Sequence, residues 1–142
     1  MIIDFNKPQY SYIDLISDAN ALAQTYSNIM QNVTIGKSHD NRDIVMLKLG
    51  TGKKYILFCA GVHGRETINP IILLKIAEYY AKIYEEFYKV KEKFENFLKN
   101  PAGDFEKQYN RMIFGKCVYE LLRTYTILVS CKINCPNMIK KK

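Results

Sequence analysis

The chain has 142 residues, of which 48% are apolar and 25% charged, and a net charge of +7. That length fits one domain with a real core, and the composition is that of an ordinary soluble globular protein rather than a disordered or fibrous one. The positive charge raises the question of a nucleic-acid interface. However, the lysines are spread over helix faces and end in a KKK tail without a dense arginine patch, so a solvated surface is the reading and no nucleic-acid partner is expected.

The start, MIIDFNKPQY, carries Asp4 and Lys7 and lacks a long apolar stretch, so no signal peptide is expected. No run reaches transmembrane length, and a cytoplasmic location without membrane partners is expected. Ser11 and Asp14 form a capping-box-like start, followed by Tyr12, Leu15, Ile16, Ala19, Leu22, Ala23 and Tyr26 at helical spacing; this predicts an amphipathic helix over 11–27. Residues 33–37 and 44–49 read as strands joined by the polar turn SHDNRD. The run Gly50-Thr51-Gly52 reads as a second turn leading into a strand at Tyr55. Two successive hairpins are therefore expected to set three strands side by side.

Residues 55–60, YILFCA, form an uninterrupted apolar run, as expected for a strand buried on both faces. A helix is predicted from Pro70, with Asn69 as its N-cap and Pro70 at its first position. Ile71, Leu74, Ala77, Tyr80, Ala81, Tyr84 and Tyr88 give it one apolar face. Residues 85–99 are much more charged and read as a solvated projection, and NPAGD at 100–104 is a breaker. A second helix over about 105–122 precedes an apolar strand at 125–129. Strand, helix and strand in that order predict a parallel crossover, hence an α/β fold. The tail after Ser130, CKINCPNMIKKK, carries no periodicity.

The cysteines are Cys59, Cys117, Cys131 and Cys135. Cys59 lies in the apolar strand and is expected to be a small buried hydrophobe. Cys131 and Cys135 have C-x3-C spacing with no second pair, a weak metal or redox signal beside the plainer reading of free thiols.

The chemistry gathers between the apolar strand and the helix that follows. His63 and Glu66 form H-x-x-E, flanked by Gly61 and Gly64. Imidazole nitrogen and carboxylate oxygen both suit Zn²⁺, and three-residue spacing in a tight loop lets both converge on one ion. The alternative is that both side chains merely satisfy loop backbone groups. A buried strand delivering polar residues into a strand-to-helix loop is where α/β proteins usually keep their chemistry.

These residues also resemble a known family. TIGKSHDNRDIVMLKLG followed by KKYILFCAGVHGRETINP is similar to the N-terminal part of the zinc carboxypeptidases, which have an IG-x-S-x-x-x-R-x-I hairpin and then a strand ending in H-x-R-E. Ile35, Gly36, Ser38, Arg42 and Ile44 fit the hairpin; His63, Arg65 and Glu66 fit the zinc motif. The leading PQYSYIDL is similar to the family's entry helix. The likeness runs from Tyr10 to about Tyr84 and resumes weakly at 121–128. It implies that His63 and Glu66 are ligands to one zinc ion and that Arg65 binds a substrate carboxylate or carbonyl, which a planar guanidinium suits. It gives Arg42 a structural role in the hairpin turn. It further implies attack on a peptide carbonyl by metal-activated water, with a glutamate relaying protons. The implied partner is a peptide substrate; bacterial relatives of this type include peptidases acting on cell-wall γ-glutamyl peptides.

The chain also departs from the family. A catalytic zinc needs three protein ligands and an open position. The family draws its third ligand, a histidine, and its general-base glutamate from further downstream. Here the other histidine is His39, in a predicted turn, and the last glutamate is Glu120; neither matches a family position. After TYTILVS the family continues into N-P-D-G, whereas this chain reads INCPNMIKKK. A truncated gene product or an altered reading frame would both give such a tail.

The expected architecture is thus α/β: a mixed sheet flanked by helices, the N-terminal portion of a zinc-carboxypeptidase-like fold, truncated. Residues 1–142 would be one partial domain, with 85–115 a helical extension or insertion and 131–142 an off-pattern tail. The last strand would present an unpaired edge open to association. Three functions compete: a zinc metallopeptidase represented by its N-terminal part, holding zinc weakly and inactive alone; a non-catalytic remnant or binding module; and a basic nucleic-acid-binding domain.

Overall fold

The computed structural model describes residues 2–4, 6–7, 9–62, 66, 68–99 and 105–131. The elements in chain order are α1 (Tyr12–Thr25), β1 (Met30–Lys37), β2 (Asp43–Leu49), β3 (Lys54–Ala60), α2 (Ile68–Lys99), α3 (Phe105–Thr124) and β4 (Tyr125–Cys131). They form a mixed four-stranded sheet with three helices, the architecture expected.

Helix α1 begins where the capping box predicts. The Ser11 hydroxyl accepts the Asp14 amide at 3.2 Å, and the Asp14 carboxylate accepts the Ser11 amide at 2.8 Å. Two amides left without intrahelical partners are thereby satisfied. Strands β1 and β2 form the first expected hairpin. Its turn is closed by the Ser38 amide donating to the Arg42 carbonyl at 2.7 Å, with Asn41 in the left-handed region at φ 58°. The Arg42 guanidinium lies 5.3 Å from the centre of the Tyr12 ring, joining this turn to the first turn of α1.

The second expected hairpin does not form. The strand order is β1-β2-β4-β3, with β4 inserted antiparallel to β2 and parallel to β3. The reason lies in Gly50-Thr51-Gly52, whose glycines serve close approach rather than a hairpin turn. The Gly50 amide donates to Ile29, the Thr51 amide donates to Leu122, and the Thr126 hydroxyl donates to the Gly52 carbonyl at 2.8 Å. A Cβ on Gly50 would sit 2.5 Å from the Tyr125 carbonyl oxygen, and Gly50 has φ 109°. The α3–β4 junction thus passes against this connection and delivers β4 between its neighbours.

Burial follows strand alternation on one face only. Val45, Leu47 and Leu49 of β2 and Ile127 and Val129 of β4 are buried in one cluster with Leu15, Ala19 and Leu22 of α1, Leu74 and Ala77 of α2, and Leu122 of α3. Each of the fully buried leucines contributes roughly 1.5–3 kcal/mol by leaving water. On the opposite face Tyr55, Leu57 and Cys59 are exposed, and Met46, Lys48, Leu128 and Ser130 are half-buried.

Three expectations are corrected by this arrangement. Strand β3 is not buried on both faces: it is the sheet's edge, and Tyr55 and Phe58 are exposed with Leu57. Cys59 is exposed rather than a core residue. The last strand, β4, is central, so the open edge belongs to β3. An apolar run registers the absence of polar residues, not the presence of neighbours to cover it.

Helix α2 starts at Ile68, two residues earlier than expected, so Asn69 lies inside it and Pro70 falls in the first turn, where a missing N–H costs no intrahelical bond. Its 32 residues span ~48 Å, twice the ~23 Å of the seven-residue strands. The C-terminal half therefore runs past the sheet, and α3 packs against it: Tyr84 and Tyr119 stack at 5.1 Å, with Phe87 at 5.3 Å from Tyr119. The 100–104 breaker and the tail beyond Cys131 lie outside the described residues. Among the described residues, no helix is long and apolar enough to cross a membrane.

Candidate functional site

The register fixes which loops share an end of the sheet. Ala60 of β3 pairs with Cys131 of β4, and Cys131 pairs with Val45 of β2. The carboxyl ends of the two parallel strands, with Gly61 and Val62 just beyond β3, and the β1–β2 turn therefore sit at the same end. Open α/β sheets bind ligands outside the carboxyl ends of their strands.

Gly61, at φ 72°, turns the chain out of β3 in a conformation that side chains other than glycine rarely adopt. Val62 is exposed beyond it. Glu66, one of the two ligands expected from sequence, is half-buried just before α2 and engaged with its surroundings. The other expected site residues, His63 and Arg65, lie outside the described residues. His39 belongs to the β1–β2 turn at this end of the sheet, with β2 about 10 Å from β3 across the intervening β4. Among the described residues no group of three or more His, Cys, Asp or Glu side chains is placed to hold a metal ion.

Two further features lie away from this loop. A groove of about 1010 Å³ runs between α2 and α3, lined by Ile76, Tyr79, Ile83, Phe87, Met112 and Phe114. It begins two turns into α2 and does not coincide with the H-x-x-E loop. The second is Glu78, only 2% exposed. Its carboxylate accepts the backbone amides of Ile2 and Ile3, and Lys75 donates to it at 3.0 Å and to the Ile3 carbonyl at 2.9 Å. Burial pushes this carboxyl up, but the Ile2 amide, Lys75 and the Ile3 amide together hold it below the usual glutamate value. Sequence reading did not single out Glu78, although it occupies the same helical face as Leu74, Ala77 and Ala81; a carboxylate on a core stripe is the signal.

The zinc carboxypeptidase profile matches residues 15–99, more than half of the chain. The chain belongs to the zinc carboxypeptidase family. Among solved structures it is similar to thrombin-activatable fibrinolysis inhibitor, with a TM-score of 0.57 and 15% identity over 84% of this chain and 24% of that one. It is similar also to the bovine form of that inhibitor in complex with a tick carboxypeptidase inhibitor, with a TM-score of 0.53 and 16% identity over 89% of this chain and 31% of that one. At such identities the likeness speaks for the fold alone. The chain spans 24% and 31% of the length of these two structures. No curated protein matches the chain.

Proposed function

We propose that the chain is the ligand-bearing N-terminal unit of a zinc metallopeptidase site, with His63 and Glu66 as two protein ligands to one zinc ion and Arg65 as the anchor for a peptide substrate's carboxylate or carbonyl. The observation that carries this reading is the position of the 61–67 loop. It lies inside the family-matched segment, at the carboxyl end of a parallel strand pair, and it leads directly into a long helix.

The donor set fits the metal: one imidazole nitrogen and one carboxylate oxygen belong to zinc's usual ligand types, and a carboxylate can bind through either or both oxygens. Zinc bound there would supply Lewis acidity toward a peptide carbonyl and lower the pKa of water. Within this chain, β3 and α2 fix the two ends of the loop, and Glu66 stands two residues ahead of Ile68, where α2 begins. A guanidinium at Arg65 would hold a substrate carboxylate through paired N–H donors. Peptides, including cell-wall peptides of the γ-glutamyl type, are the substrate class that family membership suggests.

A second reading, a non-catalytic binding module of the same fold, is favoured by one specific observation. His39 is the only other histidine, and Glu120 is an exposed residue on α3, 4.0 Å from Arg123. Hydrolysis would then depend on a third ligand and a general base from outside these 142 residues. The test is release of C-terminal residues from a synthetic peptide by the purified chain in excess zinc, alongside His63→Ala and Glu66→Ala. The reading predicts no release by the chain alone and loss of zinc binding in both folded variants. Chelator-sensitive release would overturn the inactivity of the chain, and zinc binding unchanged in both variants would overturn the ligand assignment.

A further inference from the structure

Helix α2 carries two apolar stripes. One, through Ile71, Leu74, Ala77, Ala81 and Tyr84, is buried in the core. The other, through Ile76, Tyr79, Ile83 and Val90, lines the groove against α3. At about 100° per residue, Tyr79 lies about 160° around the helix from Ala77, so this second stripe looks away from the sheet. The groove is built by α2 and α3 alone and owes nothing to what adjoins either edge of the sheet.

Its walls are apolar and open: Ile76 is 44% exposed, Tyr79 55% and Phe114 of α3 45%. The Tyr79 and Phe114 rings stand 6.4 Å apart, centre to centre. Between the helices, Phe87 is buried against Gly115, where an added Cβ would lie 3.1 Å from the ring. The missing side chain at Gly115 lets α3 close on Phe87. The spacing of the stripe is that of a coiled-coil seam. Ile76, Ile83 and Val90 recur every seven residues as a positions, and Tyr79 and Glu86 follow the first two at d. Lys82 and Lys89 hold the adjoining g positions.

We propose that this groove docks an acidic amphipathic helix of a partner protein, apolar at its a and d positions and rich in glutamate at the flanking ones. Amphipathic helices bind by laying an apolar face into a groove of this kind. Charge selects the acidic class. Lys75, one heptad before Lys82, is committed to Glu78 and to the Ile3 carbonyl. Lys82, Lys89 and Lys93 along α2, and Arg111 on α3, are exposed. Their carboxylate neighbours are Glu85, 3.7 Å from Lys89, and Glu86, 3.9 Å from Lys82 and 3.5 Å from Arg111. Long, solvent-facing pairs of this kind hold little energy. Four cations against two carboxylates leave the groove positive toward an incoming helix. A second copy of this chain does not answer that description, because at +7 it brings more of the same charge. The inference rests on α2 and α3 and is independent of the metal reading.

The probe is a fluorescein-labelled synthetic peptide of about three heptads, ~32 Å when helical, with leucine at a and d and glutamate at e and g. Its twin carries lysine in place of glutamate. Fluorescence anisotropy with the full chain should show binding of the acidic peptide, weakening as salt rises, and none of the basic twin. Tyr79→Glu should weaken the acidic peptide at least about tenfold, with circular dichroism and melting temperature unchanged because Tyr79 is exposed. Lys82→Glu combined with Lys89→Glu should turn the preference toward the basic twin. Absence of binding by the acidic peptide would overturn the proposal, as would equal binding of the two peptides. So would affinity indifferent to Tyr79→Glu, or a preference unmoved by the double charge reversal. Displacement of the peptide by a dansylated fatty acid would also overturn it, making the groove a site for a lipid carboxylate.

Discussion

Gly52 lies so close to Thr124 that a Cβ added to it would overlap the Thr124 carbonyl group. This packing of backbone on backbone sets the position at which β4 enters the sheet.

Gly52→Ala should therefore force apart the 50–53 connection and the α3–β4 junction. Overpacking of this kind costs about 1–3 kcal/mol or more, and here no flexible side chain is available to give way. Gly36→Ala is the control, because nothing lies within 4 Å of the position a Cβ would take. Urea unfolding should place Gly52→Ala at least about 2 kcal/mol below the parent and Gly36→Ala close to it. Equal midpoints for the two variants would show that the junction is not held by this contact.

Much of the fold is legible in the sequence where the signal is local. Ser11 and Asp14 locate the start of α1 because both partners of the capping box lie within one turn. The β1–β2 hairpin is likewise written in its own turn residues. The place of β4 is not, because it depends on Gly50 and Gly52 meeting Leu122 and Tyr125, more than seventy positions away. A glycine needed for close approach and a glycine needed for a tight turn look the same in one dimension. The exposure of Cys59 escaped for a related reason: YILFCA shows that β3 tolerates an apolar environment, while its exposure depends on which strands and helices reach it. At the candidate site, the H-x-x-E pattern and the family likeness point to Glu66 as a proposed ligand, whereas Glu78 was hidden among the ordinary charges of a long helix.

Glu78 should make the attachment of the N-terminal segment acid-sensitive. Its folded pKa lies below the ordinary value of 4.5, so its contribution is complete above that value and is lost as pH falls through the lower folded value. Hydrogen exchange at the Ile3 amide should accelerate in that acidic range. Glu78→Gln should show the faster exchange already at neutral pH and a much weaker pH dependence. An Ile3 amide equally protected in parent and variant across the range would refute the role of the carboxylate.

Ser11→Ala should remove the hydroxyl that accepts the Asp14 amide. Loss of an N-cap of this type costs about 1 kcal/mol, visible as a lower urea midpoint at unchanged slope. Ser11→Asp should restore most of the loss, since a carboxylate both caps the helix and favours its positive end. No recovery in Ser11→Asp would mean that the hydroxyl acts through something other than capping.

The central claim is that the 61–67 loop carries two zinc ligands, and a calorimetric zinc titration of the purified chain beside Glu66→Gln and His63→Ala tests it most directly. The account predicts one weak site in the parent chain, lost in both variants while their folding is unchanged, because two protein ligands hold zinc less firmly than the three of a catalytic site. Binding of equal strength in all three proteins would contradict the account, as would stoichiometric, dialysis-resistant zinc accompanied by peptidase activity.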